Sequence, residues 1–362
     1  MKVVTPSRIL FLMLALVLAL VVAPATLAQD DDIQIGFVVH VVGNPFIQQI
    51  VEGAQAAADD LGVELLVGGP AGGDADAQLQ AAQDFVAAGA DGIAASVPGE
   101  SMANGLNEII DSGIPVVQFN LLSTSVNAPY VGERSVESGR ILGSMVLDAI
   151  GGVEATGKVI IGNCFPGFPV LENRSTGVQE ALAAAPGIEI LGPFDVAVDS
   201  VENYSRWEAQ YAANPDALAL IGLCAPDVES LGALNEANGD AFVAGGYDLT
   251  EGNLLAIQEG HAFVTIGQSP FLQGYLPVVM LVDSIRNGTP LPVGFADSGT
   301  QIVTADSVDM GNGLPSVSFD ELLAMSSDPA ATAEFYTPWS DCITGAASPW
   351  SCVLEPIENE GM

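Results

Sequence analysis

Two histidines, His40 and His261, are all that this 362-residue chain offers for imidazole chemistry. A Ser-His-Asp arrangement would have to use one of them. His261 follows Glu259-Gly260 in what reads as a surface turn, and no Gly-x-Ser-x-Gly elbow accompanies either histidine. Gly152-Val153-Glu154-Ala155-Thr156-Gly157-Lys158 imitates a phosphate-binding loop. Val159, however, stands where a Ser or Thr would hold magnesium, and Lys158 leads into a strand-like run instead of a helix. Asp248 and Glu172 could serve as a glycosidase-type carboxylate pair, but nothing in the sequence sets their separation. The four cysteines form no Cys-x-x-Cys and there is no His cluster, so neither a metal site nor any cofactor is expected. The chain is not expected to be an enzyme.

What the sequence does offer is polar side chains at the ends of apolar runs, an arrangement suited to binding. His40 closes the first run, where it can donate to a ligand hydroxyl or sit internally bonded. Asn44 precedes Pro45 at the start of a helical pattern, where it can cap the helix and also reach a ligand. Ser96 and Asn120 end the third and fourth runs; turn backbone is their alternative partner.

The elements that position these residues follow from the hydrophobic pattern. Ile33 to Val42 is strand-like, and Phe46, Ile47, Ile50, Val51, Ala54, Ala58 and Leu61 recur at helical spacing. Short apolar runs begin again at Val63, Gly92 and Pro115, then in a second series at Lys158, Glu189, Ala217, Phe242 and Ala262. Their spacing leaves room for helical crossovers, which predicts parallel βα units in two similar α/β halves. A helix is predicted from Pro270 to about Asn287, then extended segments from Leu291 to Ala305. A chain passing repeatedly between the halves places hinge segments near 128–133, 267–270 and 299–303. The expected division is 29–130 plus 268–299 for the N-terminal lobe and 131–267 plus 300–314 for the C-terminal lobe. Residues 315–362 then form an extension.

Residues 1–28 read as a cleaved secretory signal. Lys2 and Arg8 give a positive start, Ile9 to Ala23 is unbroken apolar sequence, and Thr26-Leu27-Ala28 is a small-residue cleavage site followed by Asp30-Asp31-Asp32. An uncleaved anchor is the alternative, since the stretch is just long enough to span. No Cys near the cut provides for a lipid anchor, so the mature chain is expected to be exported and soluble. Composition agrees with a large core: 49% of residues are apolar, against a net charge of −37. Beyond the leader only six basic residues face 45 acidic ones, and such a surface repels nucleic-acid phosphates. An even number of cysteines fits an oxidising compartment. Cys342 and Cys352 could close a short loop in the tail. Cys164 and Cys224 each end an apolar run and would meet at one sheet edge if those runs are adjacent parallel strands; buried free thiols are the other reading.

Several short motifs, in order, resemble one family. Ile35-Gly36-Phe37-Val38-Val39 is followed by Asn44-Pro45-Phe46 and Glu52-Gly53-Ala54. Ala90-Asp91-Gly92-Ile93, Gly113-Ile114-Pro115-Val116-Val117 and the Arg174…Gly177 pair come next. Gly245-Gly246-Tyr247-Asp248, Thr265-Ile266-Gly267-Gln268 and Ile302-Val303-Thr304 complete the series. Together, over about residues 33–310, these resemble the sugar-type, type I periplasmic binding proteins related to ribose-binding protein. The resemblance implies two flavodoxin-like lobes with parallel sheets, joined by a three-segment hinge. It also implies a small sugar or polyol held at the strand C-terminal ends and delivered to an ABC permease in the membrane.

The same resemblance implies roles for particular residues. Phe46 is similar to an aromatic platform for a sugar ring, and Tyr204 falls where relatives stack a second ring. Asp248, after Tyr247, would accept two hydroxyls of a vicinal diol, and Gln268 would donate and accept beside the hinge. Asp227 matches an acid opening a helix, a position that also suits capping. Three departures stand out. Asn120-Leu121 replaces an acid–arginine pair, Pro226 replaces an Asn, and Glu172 replaces a ligand-contacting arginine beside Arg174. They make the pocket acidic and keep a cationic or amine-bearing solute as the alternative ligand. A binding module for a chemoreceptor or sensor would use the same pocket. A sugar-responsive repressor shares the two-lobed core but needs a basic N-terminal domain, which this chain lacks.

Overall fold

A computed structural model describes residues 33–291, 293–311 and 314–336 and the backbone of 354–355. The expected leader, residues 1–28, and the cysteines Cys342 and Cys352 lie outside the described residues. Two seven-stranded sheets form the framework. In the first, β1 (Gln34–Val38), β2 (Glu64–Gly68), β3 (Gly92–Ala95), β4 (Val116–Phe119) and β5 (Tyr130–Gly132) lie parallel in the order β2-β1-β3-β4-β5. In the second, β6 (Thr156–Asn163), β7 (Gly187–Asp195), β8 (Ala217–Gly222), β9 (Val243–Tyr247) and β10 (Val264–Gly267) lie parallel in the order β7-β6-β8-β9-β10. The chain returns to extend both. β11 (Phe295–Asp297) adds parallel to β5, while β12 (Gln301–Thr304) and β13 (Ser307–Asp309) add antiparallel beyond β10. A last strand, β14 (Leu354–Glu355), pairs antiparallel with β11. β5 is three buried residues long, too short to register among the apolar runs of the sequence.

Helices follow the strands as the periodicity predicts. In the first lobe these are α1 (Pro45–Leu61), α2 (Ala75–Ala88) and α3 (Ala103–Asp111). In the second they are α4 (Ser135–Ala149), α5 (Pro169–Leu182), α6 (Ser200–Ala213), α7 (Asp227–Ala237) and α8 (Glu251–Gln258). Asn44 accepts from the Phe46 and Ile47 amides at 2.9 and 3.3 Å, capping α1, which ends at Gly62 in the left-handed region. α9 (Pro270–Asn287) runs back to the first lobe and lies along α1. The two helices meet through glycine: a Cβ on Gly274 would overlap the Ile50 carbonyl, and one on Gly53 the Phe271 carbonyl. The second lobe repeats the device, with Gly139 on α4 facing the Arg174 carbonyl of α5 and Gly177 facing that of Val136.

Each lobe has its own core, around Ile93, Met102 and Leu106 in the first and Ile160, Trp207, Leu220 and Tyr247 in the second. The chain passes between sheets after Gly132, after Gly267 and between Asp297 and Gln301. Beyond β13, α10 (Phe319–Ser327) opens with a capping box of Ser318 and Glu321. Its Leu322 packs with Leu254, Val303 and Met310 of the second lobe.

Candidate functional site

Parallel strands deliver their C-terminal ends to one edge, and the polar residues of interest lie along it in both lobes. His40 follows β1 and its Nδ1 lies 3.0 Å from the Oγ of Ser96, which follows β3 and is fully buried. Burial pushes the His40 imidazole down to about 4, so it is neutral at physiological pH. Asn120 follows β4 in the left-handed region, φ 59°, with its carbonyl accepting from the Tyr130 hydroxyl.

From Asn120 a chain of side chains runs across to the second lobe. Asn120 Nδ2 donates to Gln273 Oε1 at 2.9 Å, and Gln273 Nε2 donates to the Gln268 carbonyl and to Gln268 Oε1. Gln268 Nε2 donates to Asp248 Oδ1 at 2.8 Å. All four residues are buried. Asp248 also has a positive φ, 73°, held by Thr265 and Asn253 side chains that donate to its carbonyl. Burial raises its carboxyl to about 6, against the opposing pull of the Arg174 charge. Ser298, at the last passage between sheets, donates to the Gln268 carbonyl, so two of the three passages are tied together.

The first passage is held by a buried ion pair. Arg174 Nε bonds Glu133 Oε1, Nη1 donates to the Leu223 carbonyl, and the guanidinium lies over the Tyr247 ring, 3.9 Å from its centroid. Tyr247 itself is enclosed in the core, its hydroxyl 3.0 Å from Ser138 Oγ.

The other residues singled out from the sequence lie away from this network. Asp227 is fully buried, and its carboxylate is taken by protein donors: Asn203 Nδ2 and Trp207 Nε1 on Oδ1, the Cys224 amide on Oδ2. Burial lifts this carboxyl too to about 6. Glu172 is exposed, and its Oε1 accepts from Asn163 Nδ2 and the Gly167 amide, bracing the loop after β6. Phe46 and Tyr204 are half-buried, Phe46 in the first turn of α1 and Tyr204 against the second-lobe core. Sequence reasoning passed over Gln273, Glu133 and Ser298. Gln273 reads as an ordinary polar helix residue; only its place opposite Asn120 gives it a role. A disulfide joins Cys164 to Cys224 across the ends of the adjacent parallel strands β6 and β8.

Among the described residues no helix is long and apolar enough to cross a membrane, and no three metal-ligating side chains converge. The family profile described as periplasmic binding protein domain matches residues 35–289. The xylose/arabinose-binding protein XylF of Sulfolobus acidocaldarius is 25% identical, over 76% of this chain and 72% of its own. The ribose import binding protein RbsB of Haemophilus influenzae is 26% identical, over 76% of this chain and 91% of its own. Among solved structures, an ABC transporter solute-binding protein from Burkholderia graminis, crystallised with D-arabinose, superposes with a TM-score of 0.72. It is 25% identical and covers 76% of this chain and 96% of that one.

Proposed function

The chain belongs to the periplasmic binding protein family, and from that premise we propose that it is the extracytoplasmic substrate-binding component of an ABC importer, holding one small sugar or polyol between its lobes. The observation that carries this reading is the buried hydrogen-bonded chain Asn120–Gln273–Gln268–Asp248, which spans both lobes at their strand ends. A sugar presents hydroxyls that both donate and accept, and a row of amides ending in a carboxylate matches that pattern. Gln268 holds Asp248 Oδ1, and we assign Oδ2 to solute hydroxyls. His40, Ser96 and the Nδ2 of Asn44 face the solute from the first lobe in this reading. Phe46 and Tyr204 supply aromatic faces for the ring's C–H surface.

The relatives named above bind xylose, arabinose or ribose by their names, which favours a small sugar over a cation. We assign the lobes to the two sheets and the hinge to the three passages between them, so that closing brings the strand ends together. The function is capture and release to a permease, with no bond made or broken. The leader, if cleaved, places this event outside the cytoplasm.

A thermal-shift screen tests the reading. The protein starting at Gln29 is heated with pentoses, hexoses, polyols and small cations. A raised Tm with a neutral sugar is the expected result, since ligand bound only to the native state stabilises it. Shifts confined to cations would overturn the sugar assignment.

A further inference from the structure

The loop after β6 carries two aromatic rings across to the other lobe. Phe165 and Phe168 pack together with ring centroids 4.1 Å apart. Phe168 meets His40 of the first lobe edge-on, with centroids 6.1 Å apart. Gly73, in the loop after β2, lies so close that a Cβ there would come within 2.9 Å of the Phe168 ring and 3.4 Å of the Phe165 ring. These contacts lie at the cleft edge, because both loops follow strand C-terminal ends. Neither ring belongs to the hydrogen-bonded chain of the site.

The loop that bears them is fixed in three independent ways. The disulfide Cys164–Cys224 ties its start to the end of β8, and the Cys164 amide also points at Cys224 Sγ. Asn163 Oδ1 accepts from the Phe165 amide at 2.9 Å. Glu172 Oε1 accepts from the Gly167 amide and from Asn163, linking the loop to the first turn of α5. On the far side of the disulfide, Asp227 Oδ2 holds the Cys224 amide. Five residues are thus braced by a covalent bond and several hydrogen bonds, yet Phe165 stays 37% exposed at the tip. A rigid support under an exposed apolar tip suits repeated docking better than packing.

We propose that Phe165 and Phe168 form a latch between the lobes, closing on His40 and Gly73, and that the Cys164–Cys224 bridge positions this latch and so sets how long a bound sugar stays in the cleft. The proposal rests on the sugar-binding reading for its ligand but on the interlobe contact for its substance. The rings need not touch the solute: they add apolar contact between the lobes that must be broken on opening, which slows release. The effect therefore falls on the dissociation rate, with the association rate little changed. Glu172 acquires a role here that its place in the sequence did not suggest, as a positioning residue for the loop.

Stopped-flow fluorescence with D-xylose, D-ribose and L-arabinose tests it in the full chain. Phe168→Ala and Phe165→Ala are expected to raise koff about tenfold with kon within about twofold. The Tm of the sugar-free protein should stay close to wild type. The double variant Cys164→Ser/Cys224→Ser should speed release similarly and add little on top of Phe168→Ala. Unchanged koff in both Phe variants overturns the latch, as does a loss of affinity that merely tracks a fall in sugar-free Tm. Independently of any sugar, a photoreactive p-benzoylphenylalanine at position 165 should crosslink to peptides containing His40 or Gly73. Absence of such a product overturns the contact. A wild-type protein that binds none of the three sugars yet gives the crosslink counts against the ligand assignment and upholds the latch contact.

Discussion

Asp248 occupies a left-handed backbone position, one that Asn tolerates better than most residues. Asp248→Asn therefore tests charge without disturbing the chain, and its amide oxygen can still accept from Gln268. Sugar affinity at pH 7.5 is expected to fall about tenfold, the order of one charge-assisted hydrogen bond. The pH dependence of the wild type follows from the same group. Its carboxyl is raised to about 6, so the acceptor is charged above that pH and neutral below it. Affinity should weaken as pH drops through 6, by at most about tenfold per unit, and Asp248→Asn should flatten the profile. Calorimetric titration between pH 5 and 8 reads both outcomes. For the folded state without sugar the sign is opposite: a carboxyl raised from 3.8 binds its proton more tightly when folded, so its contribution to stability grows as pH falls from about 6 towards 4. Asp227 acts in the same direction, while His40, lowered to about 4, opposes both across the range between 4 and 6.5.

At the scale of elements, the two roles of Asn44 can be separated. Its Oδ1 caps α1 and its Nδ2 is assigned to the solute. Asn44→Asp keeps the cap and removes the donor, so stability should hold while sugar affinity falls; Asn44→Ala should cost about 1 kcal/mol of stability in urea denaturation as well. The turn between β8 and α7 depends on Asp227 in another way. All three donors around its carboxylate come from the protein, so Asp227→Asn presents an N–H to a neighbouring donor in a dry site. A loss of about 1–3 kcal/mol is expected in the same measurement. Its position at a helix start in the sequence suits either capping or binding. The surrounding Asn203 and Trp207 come from a different helix, α6, and no local pattern predicts that they converge there.

The whole molecule shows its charge and its tail. With a net charge of −37, the native state is self-repelling, and screening that repulsion should raise Tm as salt increases from about 0.01 to 1 M, where the Debye length shrinks from about 30 to 3 Å. A Tm that does not rise with salt would show that the charges are spread too widely to matter. Among the described residues past β13, Tyr336 reaches both lobes. The Tyr336 ring stacks on Phe271 of α9 with centroids 5.3 Å apart, and its hydroxyl accepts from Gln301 Nε2 on β12. The Tyr336 side chain is thus buried between an element of the first lobe and one of the second.

The sequence by itself determined the alternation of strands and helices, the two-lobed division and the edge on which polar residues gather. Short apolar strand runs, helical stripes and caps such as Asn44-Pro45 are local signals, written within a dozen residues of one another. That Ser96, Asn120, Asp248 and Gln268 follow strand ends was legible, because the end of an apolar run is itself a local feature. Only the tertiary structure decided which partners these residues meet. Cys164 and Cys224 are 60 residues apart in the chain, and their bond depends on β6 and β8 being neighbours in the sheet. Gln273 meets Asn120 because α9 returns to the first lobe, 153 residues after Asn120. Asp227 meets Asn203 and Trp207, 24 and 20 residues away, for the same reason: side-chain chemistry states what a carboxylate can accept, while packing between elements brings the donors to it.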